Sequence, residues 1–515
     1  MHDSSARVEQ LLTELTREEK LQLVRGMDDP EGTATGYLPG VERLGISEYR
    51  LVDGPLGVRA ERKRATAFPA PIAVAATFDP DLAREKGAAM AREARALGQD
   101  ALLAPGANLI RVPHCGRNFE YYSEDPVVAS RLAVGAVTGI HDEDVIATVK
   151  HYVANNQETD RVSVSSEVDE RTLRELYLRP FRAAVEAGVG SVMTAYNRVN
   201  GMRMSDHTRL VGDVLKDEWG FDGYVVSDWY GTKSTVGAAT AGLDLEMPGV
   251  AAGDESDDQW PSPDEFEGEA AEIMSGLPDG TRAGLFGDPL AAAIDAGEVQ
   301  PDRLEDMVRR LLGQRERIGH LEDPATDTGA ASLEREGALD TPAHRRLAER
   351  LAARGTVLLE NDGVLPLAEE TDVAVIGPNV HEATLGGGGS SETTPFQSTS
   401  PAEGIRARAP MERSRSPVAS TRFRPSRCST CCRSSVTAKP SQLPRTRQPP
   451  RSRSVSTQPN RASTQPSRRL ETPPSPSSSS ATGRRRPKTA TRFDYPASRT
   501  NWSRRSPPRR TRRWS

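Results

Sequence analysis

The residues with the clearest chemical content sit at the ends of short apolar runs. In Gly220-Phe221-Asp222-Gly223-Tyr224-Val225-Val226-Ser227-Asp228-Trp229 a turn leads into a β-rich run that stops abruptly at Asp228. Such a run reads as a buried strand, and α/β barrels keep their chemistry at the C-terminal tips of strands. An aspartate that merely caps a loop is the plain alternative. Other strand ends carry polar groups of the same kind: Tyr49–Pro55 contains Asp53, Ile146–His151 ends on Lys150 and His151, and Ser191–Tyr196 ends on a phenol. Paired donors and acceptors such as Asp53, Lys150 and His151 could orient a ring bearing several hydroxyls, and the Trp229 indole could cover its apolar face. Cleaving such a ring from its neighbour with retention needs two carboxyls about 5–5.5 Å apart, one attacking and one protonating the leaving oxygen. Lys150 and Arg117 nearby would keep the attacking carboxylate ionised.

The elements that must position these groups alternate. A helical stripe over 8–26 precedes the short strand that runs into a turn over 49–55. Asp79-Pro80 opens a helix to about Leu97, and Ala101–Pro105 is strand-like. Ser123-Glu124-Asp125-Pro126 starts another helix before the 146–151 strand. Ser166 with Asp169 resembles a capping box, and Pro180 should kink the helix that follows. A helix near 206–219 leads to the 220–229 strand, and Ala241–Met247 is one more strand. Strand–helix alternation over some 300 residues implies parallel βαβ units. With polar strand ends it favours a (β/α)8-type, TIM-like barrel over residues 1–319. Residues 250–287 read as an acidic surface insertion and 320–343 as a linker. Residues 344–410 begin an α/β sandwich domain: a helix at 343–354, then Thr356–Asn361, a buried parallel strand at Asp372–Pro378, and a flexible Gly386–Ser391 loop. No Gly-x-Gly-x-x-Gly follows the first strand and no Walker loop occurs, so nothing calls for a nucleotide, and no other cofactor or metal is implied.

Charge divides the chain. Residues 411–515 hold 26 Lys and Arg against 3 Asp and Glu, leaving 41 against 70 in residues 1–410. An acidic body suggests tolerance of high salt. The tail is built of Arg, Ser, Pro and Thr, with only seven Leu, Val or Phe, too few for a packed core; it reads as disordered. The switch is abrupt and falls inside a domain that cannot fold alone, which points to a shift of reading frame near codons 406–411. A true basic tail, able to attract nucleic acid electrostatically, is the alternative. Cys428, Cys431 and Cys432 lie in that tail without the second pair or histidine that zinc would need. The N-terminus shows no basic, apolar signal pattern and no run is long enough to span a bilayer, so the body is expected to be cytoplasmic. Oligomeric state is left open.

Five segments in order now carry a resemblance. They are Asp53-Gly54-Pro55-Leu56-Gly57-Val58-Arg59, Gly116-Arg117-Asn118-Phe119-Glu120 with Ser123-Glu124-Asp125-Pro126, Lys150-His151-Tyr152-Val153-Ala154-Asn155-Asn156, Met193-Thr194-Ala195-Tyr196-Asn197, and Gly223–Trp229. Residues 1–410 resemble a glycoside hydrolase family 3 β-glucosidase. The resemblance implies retaining hydrolysis of terminal β-glucosides, or of close relatives such as β-xylosides, with Asp228 as the nucleophile. It implies that Asp53, Arg117, Lys150 and His151 hold the sugar hydroxyls, and that Arg59, Arg161, Met193, Tyr196 and Trp229 complete the pocket. Ser390 or Ser391 matches a residue that the second domain leans into it. Arg117 with Glu120 as a structural ion pair, and Met193 as core, are the plain alternatives. The family's acid/base is usually a glutamate beyond the Gly-rich loop, where this chain offers only Glu412, Glu471 and Asp494. The branch that uses an Asp-His pair follows a Lys-His-Phe-Pro-Gly-His-Gly motif, which Lys150–Asn156 does not match. The acid/base is thus unidentified and reduced turnover is expected; a non-catalytic sugar-binding remnant of the same fold is the rival reading.

Overall fold

The computed structural model describes residues 5–60, 63–249, 284–321, 337–369 and 371–408. Most of the expected acidic insertion, most of the expected linker, and the basic tail lie outside the described residues.

Six strands form the central sheet: β1 (Gly36–Leu38), β2 (Tyr49–Asp53), β3 (Ala101–Leu103), β4 (Ile146–Tyr152), β6 (Ser191–Thr194) and β9 (Tyr224–Val226). They pair in that order, in parallel from β2 to β9, whereas β1 runs antiparallel to β2. Three short strands, β5 (Ser165–Ser166), β7 (Arg198–Val199) and β8 (Met202–Arg203), make a separate sheet. All seven residues of β4 are buried, as a parallel strand covered on both faces requires. Beyond β9 the ladder continues through single bridges. Leu245 pairs with Val226, Glu246 with Arg25, and Met27 with Tyr37 of β1. The expected 241–247 strand is reduced to these bridge positions.

The covering helices follow from local signals. Asp79 and Asp125 cap the helices Pro80–Ala96 and Pro126–His141, each accepting from two backbone N–H groups with proline in the first turn. The two helices pack closely because Gly139 carries no Cβ; one there would run into the Arg84 carbonyl. The N-terminal stripe is two helices, Ala6–Glu14 and Arg17–Leu23. They are split because Thr16 and Glu19 form a capping box that starts the second. The box expected at Ser166 is absent: Ser166 lies in β5, and Asp169 alone caps the next helical turn. Pro180 falls in the first turn of the segment Arg179–Glu186, where its missing N–H costs nothing.

The second unit departs from expectation. The helix Pro342–Gly355 forms, anchored by His344 Nδ1 on buried Glu93, 2.8 Å away. No strand follows it among the described residues. Leu359 and Ile376 are 91% and 92% exposed, so Asp372–Pro378 is not a buried strand. A strand needs a neighbour to take its N–H and C=O groups, and no described residue pairs with this segment in a ladder. No sandwich is therefore seen among the described residues.

Candidate active site

The C-terminal ends of the parallel strands open into a cavity of about 630 Å³. Asp53 is the last residue of β2, Lys150 and His151 lie near the end of β4, and Met193 lies in β6. Asp228 follows β9 by two residues. These residues, with Arg59, Arg117, Arg161, Tyr196 and Trp229, all line this cavity, and Gly387–Ser391 close one side. All ten residues named from the sequence thus come together. Glu158, Thr35, Gly116 and Phe119 also line it and were not foreseen. The run Asn155-Asn156-Gln157-Glu158, directly after a strand end and three residues before Arg161, was the available signal for Glu158.

The turn after β9 fixes Asp228. Ser227 N–H donates to Leu245 O at 3.0 Å, and Ser227 Oγ accepts from Met247 N–H at 2.9 Å. Gly231 N–H donates back to Asp228 O, and a Cβ on Gly231 would stand 2.9 Å from that oxygen. One carboxylate oxygen, Oδ1, accepts from Trp229 N–H at 2.8 Å. The other, Oδ2, is buried and accepts no hydrogen bond from the described residues. It lies 3.8 Å from His151 Nε2.

Burial pushes the Asp228 carboxyl above its ordinary value; Arg117, Arg161 and Lys150 pull the other way but do not prevail. The cations act in the direction expected, and desolvation is the larger effect. Burial, reinforced by the charges of Arg117, Lys150 and Arg161, holds His151 well below its ordinary value, so it is neutral beside Asp228.

The other carboxylates are each tied down. Asp53 stands 3.4 Å from both Lys150 Nζ and Arg59. Its loop is held by buried Lys86, which donates to Pro55 O and Pro69 O at 2.7 and 3.0 Å. Glu120 accepts from Arg117 Nε at 2.5 Å and from the Ser391 hydroxyl. Burial raises the Glu120 carboxyl, but the charges of Arg117 and Lys150 and these hydrogen bonds outweigh it and leave it below its ordinary value. The Arg117–Glu120 ion pair exists, and it also fastens the Gly-rich loop to the cavity. Arg161 lies 4.6 Å over the Tyr196 ring, whose hydroxyl donates to Trp229 O at 2.8 Å. Four carboxylates and four cations interleaved around a neutral imidazole suit a neutral ligand rich in hydroxyls.

Comparison with known proteins agrees with this geometry. The glycosyl hydrolase family 3 N-terminal domain matches residues 41–248 and the C-terminal domain of the same family matches residues 356–490. The second match runs past residue 411, where the composition changes. A β-glucosidase from Rhizobium radiobacter is 41% identical over 408 residues, 78% of this chain and 44% of that protein. A probable β-glucosidase J from Aspergillus fumigatus is 37% identical over 410 residues, 77% of this chain and 42% of its own. The chain spans less than half the length of these curated relatives. Among solved structures, the β-glucosidase DesR from Streptomyces venezuelae in complex with D-glucose is similar at a TM-score of 0.67 and 38% identity, covering 79% of this chain and 49% of that one. β-Glucosidase 3B from Thermotoga neapolitana, in complex with α-D-glucose, gives 0.67 and 36%, covering 78% and 54%. With both family domains matched in order and a strand-end carboxylate in the cavity, the chain belongs to glycosyl hydrolase family 3.

Proposed function

We propose that the protein is a retaining β-glucosidase whose nucleophile is Asp228. The observation that carries this reading is Asp228, buried at the strand ends with one carboxylate oxygen accepting no hydrogen bond from the described residues, in the lining of a cavity shared with Asp53, Lys150, His151 and Arg117. The sugar hydroxyls bind among these four, and Met193, Tyr196 and Trp229 bound the ring. The Asp228 carboxylate attacks the anomeric carbon as the bond to the aglycone oxygen breaks; water then cleaves the glycosyl ester, returns the carboxylate and releases glucose with its β configuration. The framework is an eight-membered barrel in which the bridges at Leu245–Glu246 and Arg25–Met27 link β9 back to β1.

Each other carboxylate in the cavity is paired with a cation, so none is assigned as the proton donor to the leaving oxygen. An aryl β-glucoside, whose aglycone departs as a stable anion, is turned over; an alkyl β-glucoside is turned over at least about a hundredfold more slowly. Product configuration read by NMR during hydrolysis of the aryl substrate tests the reading. β-Glucose appearing first supports it. α-Glucose first contradicts retention, and glucose binding without aglycone release favours the sugar-binding remnant.

A further inference from the structure

We infer that Glu158 is a positioning residue whose carboxylate holds Arg161 over Tyr196 on one side and, through Asn155 and Tyr121, steadies His151 on the other. Glu158 Oε2 accepts from Arg161 at 3.0 Å, and Oε1 accepts from Asn155 Nδ2 at 3.1 Å. The same Nδ2 donates to the Tyr121 hydroxyl at 3.3 Å, and that hydroxyl lies 3.4 Å from His151 Nδ1. His151 Nε2 then faces Asp228. Asn155 and Tyr121 are fully buried, so neither can exchange its partner for water at low cost. A single carboxylate on the loop after β4 therefore spans Arg161 of the same loop and His151 near the end of β4.

A three-residue ion-pair spacing is ordinarily worth little on a helix surface. Here the pair sits on a turn rather than a helix, and the Arg161 and Glu158 side chains are only 13% and 21% exposed. Burial keeps the Glu158 carboxyl above its ordinary value even beside Arg117 and Arg161, so its hold on Arg161 is strongest once it has ionised. A glutamine would keep the bond to Asn155 and present an N–H to Arg161 or lose the second acceptor. It separates the two arms with little change in shape.

The inference rests on the glycosidase reading for its kinetic readout and on sugar binding alone for its second. Aryl β-glucoside kinetics and glucose affinity by calorimetry are measured on the full chain as wild type, Glu158→Gln, Arg161→Met and the double variant. Glu158→Gln should lower kcat/KM and glucose affinity by about tenfold, and the double variant should be no worse than Arg161→Met alone, because both act through one guanidinium. Losses that multiply, or a Glu158→Gln loss below about twofold, would overturn it. If wild type binds glucose and does not release the aglycone, the hydrolase reading fails, and the same cycle in affinity decides this one. A wild type that does neither overturns both. Should Glu158→Gln not fold, the near-isosteric Tyr121→Phe reads the other arm: a severalfold loss of glucose affinity is expected, and unchanged affinity refutes the link to His151.

Discussion

Asp228 is held by two opposed effects, and the balance sets how it should behave. Desolvation raises its carboxyl while three cations lower it, and desolvation prevails. Attack requires the ionised form, so the rate should fall as pH drops through this raised value. The acid limb of kcat/KM is expected above the ordinary aspartate range. A limb at or below that range would show that the cations dominate in solution. Asp228→Asn keeps the shape and removes the nucleophile. Its kcat on an aryl β-glucoside should fall by about a thousandfold or more, with glucose affinity changed far less. Much of the site was legible residue by residue, because strand ends, charged pairs and motif order are local signals. Glu158 was not, because its importance lies in bonds to Arg161, Asn155 and, at one remove, Tyr121, which only the folded loop brings together. The order of strength at Asp228 was also hidden, since burial depends on everything packed around the carboxyl.

Elements carry the site only if the turns between them hold. Gly387 sits against Phe119, and a Cβ there would run into the ring. Gly387→Ala should lift the Gly-rich loop, raising KM for the aryl glucoside severalfold with a smaller effect on kcat; an unchanged KM would mean that the loop does not shape the site. Glu246 lies where the bridged segment meets Arg25, and accepts from Leu285 and Phe286 N–H at 3.0 and 2.7 Å. Burial raises its carboxyl to about 7 from an ordinary 4.5. The folded state then binds a proton that the unfolded state has released. This group's contribution to stability is full below about 4.5 and is lost as pH rises through about 7, at up to about 1.4 kcal/mol per pH unit. Glu246→Gln should flatten that decline in thermal unfolding, while leaving one of the two backbone N–H groups without its acceptor at every pH. A decline of unchanged slope would place its origin elsewhere. The parallel strands β2, β3, β4, β6 and β9 were readable from apolar runs and most helices from their caps, whereas β1 and the small three-stranded sheet were not foreseen. The break at Thr16 was missed because an apolar stripe runs through it, and Asp372–Pro378 failed because strand propensity cannot supply a neighbouring strand.

At the scale of the molecule, the site at the strand ends is assembled from residues 35–229 plus the Gly387–Ser391 loop, while the segments after Gly355 expose Val357, Leu358, Leu359 and Ile376. No helix among the described residues is long and apolar enough to cross a membrane. We propose that the reading frame changes near codons 406–411, although the C-terminal family match continues to residue 490 in the present frame. Resequencing that stretch should give another frame that continues as an acidic α/β domain with a loop glutamate; confirmation of the present frame with no such continuation would refute this. A chain restored in that frame should hydrolyse alkyl and aryl β-glucosides at comparable rates, because the leaving oxygen would gain its proton donor. A covalent bond between Asp228 and the sugar is tested by incubating the protein with a 2-deoxy-2-fluoro-β-glucoside bearing a good leaving group, then locating the trapped sugar by peptide mass spectrometry. One glycosylated peptide is expected, with the sugar on Asp228. Sugar trapped on another residue, or none trapped while the aryl substrate is still being hydrolysed, would contradict it.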